Sequence, residues 1–196
     1  MKYLWLLGLL ACFSAQKEAA ESSEETDETE DTDEIEDTEV EEIDDLSWVD
    51  PAELPAGSNP CREPVRVLVE SVLDGDTFIG QGDDGEERVR IIGVDTPELS
   101  SGDCYAQEAK SFLIDQIFGR WVWLTFDGNC YDIYDRTLAY VHLGVNEQDF
   151  VERQILLGGY AQAFPFSDTA TFEDVFAQDE TTARENNVGG WAACGW

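Results

Sequence analysis

Three short clusters contain the residues whose types and spacing could do chemistry. They are the run Asp74-Gly75-Asp76-Thr77, Arg90 together with Val94-Asp95-Thr96-Pro97-Glu98, and Asp132-Ile133-Tyr134-Asp135-Arg136. Carboxylate and carbonyl oxygens suit a hard cation such as calcium, and guanidinium groups bind phosphoryl oxygens in pairs. Each cluster alone has an ordinary explanation as a turn, a strand end or a surface ion pair. Their combination is far more specific than any one of them.

Alternating residues predict the strands that carry the first two clusters. Val65, Val67 and Val69 alternate with polar neighbours, and Asp74-Gly75 supplies a tight turn before a second strand at Thr77-Phe78-Ile79. Asp84-Gly85 makes the next turn, and residues 88–94 form a third, more buried strand. We therefore expect a meander of three strands.

Helical spacing and caps predict the remaining elements. An amphipathic helix is expected over residues 105–118, and a second one, capped by Asn146 with Asp149, is expected to end at Gly158-Gly159. Further strands are expected at 121–126 and 137–143, and a last helix at 172–186. The predicted fold class is α+β, mainly β, with a five-stranded barrel and about three packed helices.

The clusters, in this order and on this strand pattern, resemble the staphylococcal nuclease family, also called thermonucleases, whose barrel is an OB-fold. The resemblance extends from residue 65 to about 193. It includes the Asp74–Thr77 turn, the stretch from Arg90 to Glu98, and Cys104-Tyr105 leading into Glu108-Ala109. It also includes Asp132 to Tyr140 and the Asn-Val-Gly-Gly-Trp run that ends at Trp191.

The resemblance implies a metal-dependent phosphodiester hydrolase. Asp76, Asp95 and the backbone carbonyl of Thr96 would bind calcium, and Glu98 would act as the general base or orient the attacking water. Arg90 and Arg136 would bind the nonbridging oxygens as they gain charge. The reaction of the family cleaves the bond to the 5' oxygen of DNA and RNA, single-stranded regions first, and leaves 3'-phosphates.

Aromatic residues complete the implied site. Tyr134 matches a phosphate-contacting tyrosine, and Phe164 and Phe166 fall where the family tends to place tyrosines beside a bound nucleotide. Core packing is an equally good explanation for the two phenylalanines. Ile133 stands where a lysine is common, and His142, within a strand, is expected to be structural.

The first 57 residues predict export and a tether. Met1-Lys2 and the short apolar run that follows form a signal segment over residues 1–16, in which Leu9-Leu10-Ala11-Cys12 resembles a bacterial lipobox. We expect lipidation of Cys12 and a monomeric protein anchored at the cell envelope or surface; the alternative is an ordinary signal peptide and secretion. Residues 17–57, with 19 acidic residues and one lysine, are expected to form a disordered tether before a domain over 58–196. Whether Leu46, Trp48 and Val49 dock on that domain stays open.

The four other cysteines form an even set, which in an exported chain predicts two disulfides. Zinc is disfavoured because C-x-x-C spacing is absent and the one histidine is distant in sequence. Of three possible pairings, we favour Cys104 with Cys130, which leaves Cys61 with Cys194.

The net charge of −33 opposes an ordinary nucleic-acid footprint, because such footprints are basic. Residues 58–196 alone have 25 acidic and 9 basic side chains, a net charge of −16. An acidic surface suits salty water, where screening weakens repulsion from a polyanion. Two other functions compete with a nuclease: a noncatalytic OB-fold module that binds an oligonucleotide or a protein, and an acidic tether that binds cations or a basic partner.

Overall fold

Five strands close into a barrel in the computed structural model, which describes residues 44–165 and 171–196. The described residues form seven strands in all: β1 (Val65–Asp74), β2 (Thr77–Gly82), β3 (Gly85–Ile91), β4 (Gly93–Asp95), β5 (Trp121–Thr125), β6 (Thr137–His142) and β7 (Gln162–Phe164). The barrel order is β1-β2-β3-β6-β5, and β4 pairs with β7 in a separate two-stranded sheet. Neighbours are antiparallel except β3 and β6, which are parallel. The predicted mainly-β α+β barrel is confirmed.

One predicted strand is in fact two. The pattern at residues 88–94 indicates one continuous strand, but β3 ends at Ile91 and β4 starts at Gly93. Gly93 has φ +84°, and a Cβ atom there would lie 2.3 Å from the ring of Phe176. The chain therefore turns out of the barrel at a position that only glycine can occupy. This turn directs Asp95 away from β3 and toward β7.

Four helices pack around the barrel: α1 (Ala106–Ile117), α2 (Val151–Leu157), α3 (Glu173–Glu185) and the short α4 (Gly190–Ala193). In α1, Ala109, Leu113 and Ile117 are buried at helical spacing, as predicted. The capping box of Asn146 and Asp149 opens a 3-10 turn at Glu147–Asp149, which leads into α2. The helices and barrel share one apolar core.

Residues 44–57, here called the arm, pack on the barrel. Leu46, Val49 and Leu54 are buried against Trp121, Trp123 and Val145. The indole of Trp123 donates to the carbonyl of Leu46 at 3.2 Å, whereas Trp48 is 64% exposed. Part of the span for which the sequence predicts a tether therefore packs on the domain, because three apolar side chains give the arm surface to bury.

The rest of the predicted leader and tether, with Cys12, lies outside the described residues, as does Phe166. Among residues 44–165 and 171–196, no helix has the length and apolar character needed to cross a membrane.

Two disulfides form, but not in the pairing expected. Cys61 bonds to Cys130, and Cys104 bonds to Cys194. The amide of Cys61 donates to the carbonyl of Asp127 at 2.9 Å, so the chain that follows the arm runs beside the chain that leaves β5 and reaches Cys130. Cys104 lies at the start of α1, next to the chain that follows α4. The favoured pairing of Cys104 with Cys130 is wrong, because the long-range contacts that decide it have no local signal.

Candidate active site

The turn between β1 and β2 buries Asp76 in a shell of donors. Its side chain accepts from the Thr77 hydroxyl at 2.9 Å, and from the amide and hydroxyl of Thr96 at 3.1 and 2.9 Å. A Cβ atom on Gly75 would lie 2.8 Å from Thr96 Oγ1, so glycine lets the turn approach the Thr96 loop closely. Asp76 is therefore fixed in one orientation, with 3% of its surface exposed.

Arg90 links the carboxylates of Asp76 and Asp95. Its Nη2 atom lies 3.2 Å from Asp76 Oδ2 and 3.1 Å from Asp95 Oδ1. Its Nη1 atom donates to the carbonyl of Val94 at 2.9 Å and to that of Ile91. The backbone that turns at Gly93 thus holds the guanidinium, whose side chain is only 7% exposed.

Asp95 and Glu98 are the accessible carboxylates of the cluster. Partial burial, reinforced by the charge of Asp76, raises the pKa of Asp95 despite the opposing effect of Arg90. Desolvation and the neighbouring carboxylates, Asp74 first among them, raise the pKa of Glu98. Two hydrogen bonds with Asp103 place Glu98: Asp103 Oδ2 accepts from the Glu98 amide at 3.1 Å, and the Asp103 amide donates to the Glu98 carbonyl at 3.2 Å. The carboxylates of Asp74, Asp76, Asp95 and Glu98 therefore interact with one another, and two of them contact the guanidinium of Arg90.

A cavity of about 290 Å³ opens beside Asp95 and Glu98. Its other lining residues are Thr96, Pro97, Asp103, Cys104, Gln162 and Trp196. The Cys104–Cys194 disulfide joins this wall to the chain that follows α4. Sequence reasoning did not assign Asp74, Asp103, Gln162 or Trp196 to the site. Only Asp74 had a local signal, because it belongs to the same Asp-Gly-Asp-Thr turn as Asp76.

Arg136 and Tyr134 lie on a hairpin that precedes β6. Asp132 Oδ2 binds Arg136 Nε at 2.7 Å, and Asp132 Oδ1 accepts from the amides of Tyr134 and Arg136 at 2.8 and 3.0 Å. These hydrogen bonds outweigh desolvation and lower the pKa of Asp132. The ring of Tyr134 lies 5.6 Å from the guanidinium carbon of Arg136. Thr137 pairs with Val89, so Arg136 enters from the strand next to that of Arg90.

Phe164 lies elsewhere. It pairs with Gly93 in the β4-β7 sheet, is 44% exposed, and lines a separate cavity of about 130 Å³ with Phe176. The structure thus brings Asp76, Arg90, Asp95 and Thr96 into direct contact with one another, places Glu98 beside them, and puts Tyr134 and Arg136 on an adjoining hairpin.

The donor set suits a hard cation only in part. Within residues 44–165 and 171–196 there is no group of three or more His, Cys, Asp or Glu side chains arranged to hold a metal ion. The donors that remain are the carboxylates of Asp76 and Asp95 and the carbonyl of Thr96, all oxygens, in an excess of negative charge that a divalent cation would relieve. These oxygens are of the chemical type that calcium binds.

Comparison of the amino-acid sequence with known proteins points to one family. Residues 88–193 match the family described as staphylococcal nuclease homologue. The chain is 35% identical over 127 residues to a thermonuclease of Staphylococcus intermedius, which covers 62% of this chain and 74% of the relative. It is 30% identical over 139 residues to a thermonuclease of Staphylococcus hyicus, with coverages of 69% and 79%. It is 28% identical over 141 residues to the endonuclease YncB of Bacillus subtilis (strain 168), with coverages of 69% and 65%.

The closed five-stranded barrel, with a cluster of carboxylates and arginine beside a cavity, defines an OB-fold protein with an acidic polar site. The chain belongs to the staphylococcal nuclease family.

Proposed function

We propose that this protein is a calcium-dependent endonuclease that hydrolyses DNA and RNA to leave 3'-phosphates. The observation that carries the proposal is the contact of Arg90 with both Asp76 and Asp95, beside a cavity that Glu98 lines. A nuclease of this kind needs a cation site, a guanidinium and an accessible carboxylate close together. The cluster has the guanidinium of Arg90, the accessible carboxylate of Glu98, and carboxylate oxygens of the kind that a hard cation binds. Thermonucleases and an endonuclease among the relatives support the same reaction class.

Each residue has a definite role in this proposal. Calcium held by Asp76, Asp95 and the Thr96 carbonyl would polarise a phosphoryl oxygen. Glu98, exposed to the cavity, accepts a proton from the attacking water. Arg90 and Arg136 donate to the nonbridging oxygens, which gain charge in the transition state. Tyr134, beside Arg136, contacts the substrate phosphate.

The test is cleavage of single-stranded DNA by the purified protein, with calcium or with a chelator, over a range of salt concentrations. We expect calcium-dependent cleavage with an optimum at raised salt, since screening weakens repulsion between an acidic domain and DNA. Product fragments should accept a label at a free 5'-hydroxyl without prior dephosphorylation. Binding without cleavage at any salt by a folded sample would favour the noncatalytic OB-fold module instead.

We further propose that the protein works outside the cytoplasm, attached through a lipid on Cys12 and acting as a monomer. Two disulfides support an oxidising compartment, and the Leu9–Cys12 sequence supports the anchor. Metabolic labelling with a radioactive fatty acid, compared between the natural chain and Cys12→Ser, tests the anchor. Equal labelling of the two would exclude it. Deletion of residues 17–43 with unchanged cleavage would exclude a tether that carries the function.

A further inference from the structure

The hairpin of residues 130–138 exposes apolar side chains beside the proposed site. Tyr131, Ile133 and Tyr134 are 57%, 88% and 69% exposed, and Ile133 is the most exposed large apolar residue of the described part of the chain. These three side chains, which lie within four positions of one hairpin, are here called the patch. Exposed apolar patches of this kind mark binding surfaces when they adjoin a functional site.

Several bonds hold the hairpin in place, so its conformation keeps the three apolar side chains exposed. Its strands are joined by backbone bonds from Leu138 to Cys130 at 2.8 Å and from Asp132 to Arg136 at 3.1 Å. The Cys61–Cys130 disulfide anchors its base, and Asp132 binds Arg136 across its turn. Side chains held in place before binding lose little conformational entropy when a ligand arrives.

Because the domain is acidic, apolar contacts can contribute to nucleic-acid binding where long-range electrostatic attraction cannot. Six of the nine arginines and lysines of residues 58–196 form ion pairs with carboxylates: Arg62, Arg66, Arg90, Arg136, Arg153 and Arg184. Few cations are left for long-range attraction to phosphates, and the net charge of −16 opposes it. Stacking and apolar contact with unpaired bases do not depend on net charge and persist at high salt.

We propose that Tyr131 and Ile133 form a subsite for unpaired bases of a single-stranded nucleic acid whose phosphate is held at Arg136. The subsite rests on the proposed nuclease function and selects its substrate, because bases in a duplex are stacked inside and cannot reach the hairpin. A nucleic acid is favoured over a membrane because the same hairpin carries Arg136, the residue proposed to bind the substrate phosphate, with its guanidinium carbon 5.6 Å from the ring of Tyr134.

The variant that tests the subsite is Tyr131→Ser with Ile133→Ser, assayed on a 12-nucleotide single strand and on a dinucleotide whose bases are too few to extend from Arg136 to Tyr131 and Ile133. We expect the KM for the long strand to rise about tenfold, since a stacked base contributes a factor of this order, and the KM for the dinucleotide to change less than twofold. Val175→Ser, a matched change at an exposed position of α3, should leave both KM values at the natural level.

Two single variants separate base contact from phosphate contact. Ile133→Trp should lower the KM for the long strand at every salt concentration, whereas Ile133→Lys should help only at low salt and should steepen the salt dependence. A natural KM for the long strand in the double variant overturns the subsite. Loss of binding to phosphatidylcholine vesicles in that variant, with the KM unchanged, would assign the patch to a membrane. If the natural protein cleaves no substrate, the nuclease proposal has failed, and anisotropy of a labelled strand still decides the subsite.

Discussion

The site and the buried polar residues around β6 both contain carboxyl groups whose pKa is raised by burial, but only those of the site also have like-charged neighbours. Asp95 and Glu98 border a cavity, and the pKa of each is raised by partial desolvation together with neighbouring carboxylates. Glu152 has no exposed surface, and burial raises its pKa well above the usual value although the Val141 amide donates to it at 3.1 Å. A shifted pKa alone therefore does not mark a functional carboxylate; access and like-charged neighbours do.

The largest predicted effect is on the stability of the fold and comes from His142, one of the buried polar residues around β6. Thr125 donates its hydroxyl proton to the Pro55 carbonyl at 2.7 Å, so His142 Nε2 must donate to Thr125 Oγ1, which lies 2.9 Å away. His142 Nδ1 is buried and finds no hydrogen-bond partner. A second proton would place an uncompensated charge there, and burial accordingly lowers the pKa of His142 to about 3.

Acid should therefore unfold the protein partly through this one side chain. Below pH 6.5 the unfolded chain binds a proton that the folded chain refuses, so stability falls between pH 6.5 and about 3. The loss is as much as about 5 kcal/mol. Urea unfolding across this range measures it, and His142→Gln should flatten the part between pH 5 and 6.5. Since His142 is the only histidine, an equally steep profile in the variant would contradict this assignment.

On the functional side, Glu98→Gln removes the proposed base and keeps its shape. We expect cleavage to fall ~100-fold or more, about 2.7 kcal/mol in the barrier, because the amide cannot take a proton. The free energy of unfolding should change little, since Glu98 is exposed. Steady-state cleavage and urea unfolding check both statements. Glu185→Gln, an exposed change in α3, is the control, and a natural rate in Glu98→Gln would remove the residue from its role.

Arg136→Lys probes whether the guanidinium acts as a fork or only as a charge. The arginine binds Asp132 through Nε at 2.7 Å, a contact that fixes the plane of the group. An ammonium keeps the charge but cannot hold Asp132 and two phosphate oxygens together, so we expect roughly a 10-fold or greater loss in kcat/KM. Arg184→Lys, in α3, provides the matched control. Equal rates for the Arg136 variant and the natural protein would show that charge alone suffices.

Local signals predicted most of the barrel and the cluster. Alternation and Asp-Gly turns gave β1 to β3, and the motif residues Asp76, Arg90, Asp95 and Thr96 do meet. What failed depends on contacts between distant parts of the chain. Phe176 of α3 requires the break at Gly93. The path of the chain after the arm determines the disulfide pairing. Trp121 and Trp123 of β5 provide the surface on which the arm docks. No spacing within the sequence encodes these contacts.

Glu152→Gln has the smallest predicted effect, a change in stability. It tests most directly whether the buried carboxyl group differs from the carboxyl groups of the site. Because its pKa is raised in the folded state, Glu152 stabilises the fold fully only below the ordinary glutamate pKa of about 4.5, and that stability is lost as the pH rises. Glutamine imitates the protonated form and still accepts from Val141. We expect the variant to match the natural protein near pH 4 and to exceed its stability by on the order of 1 kcal/mol at pH 8. Unfolding curves at both pH values measure the difference. Cleavage should be unchanged, because Glu152 reaches no cavity of the site; a variant less stable at pH 8 would mean that the buried carboxylate is charged and held by the fold.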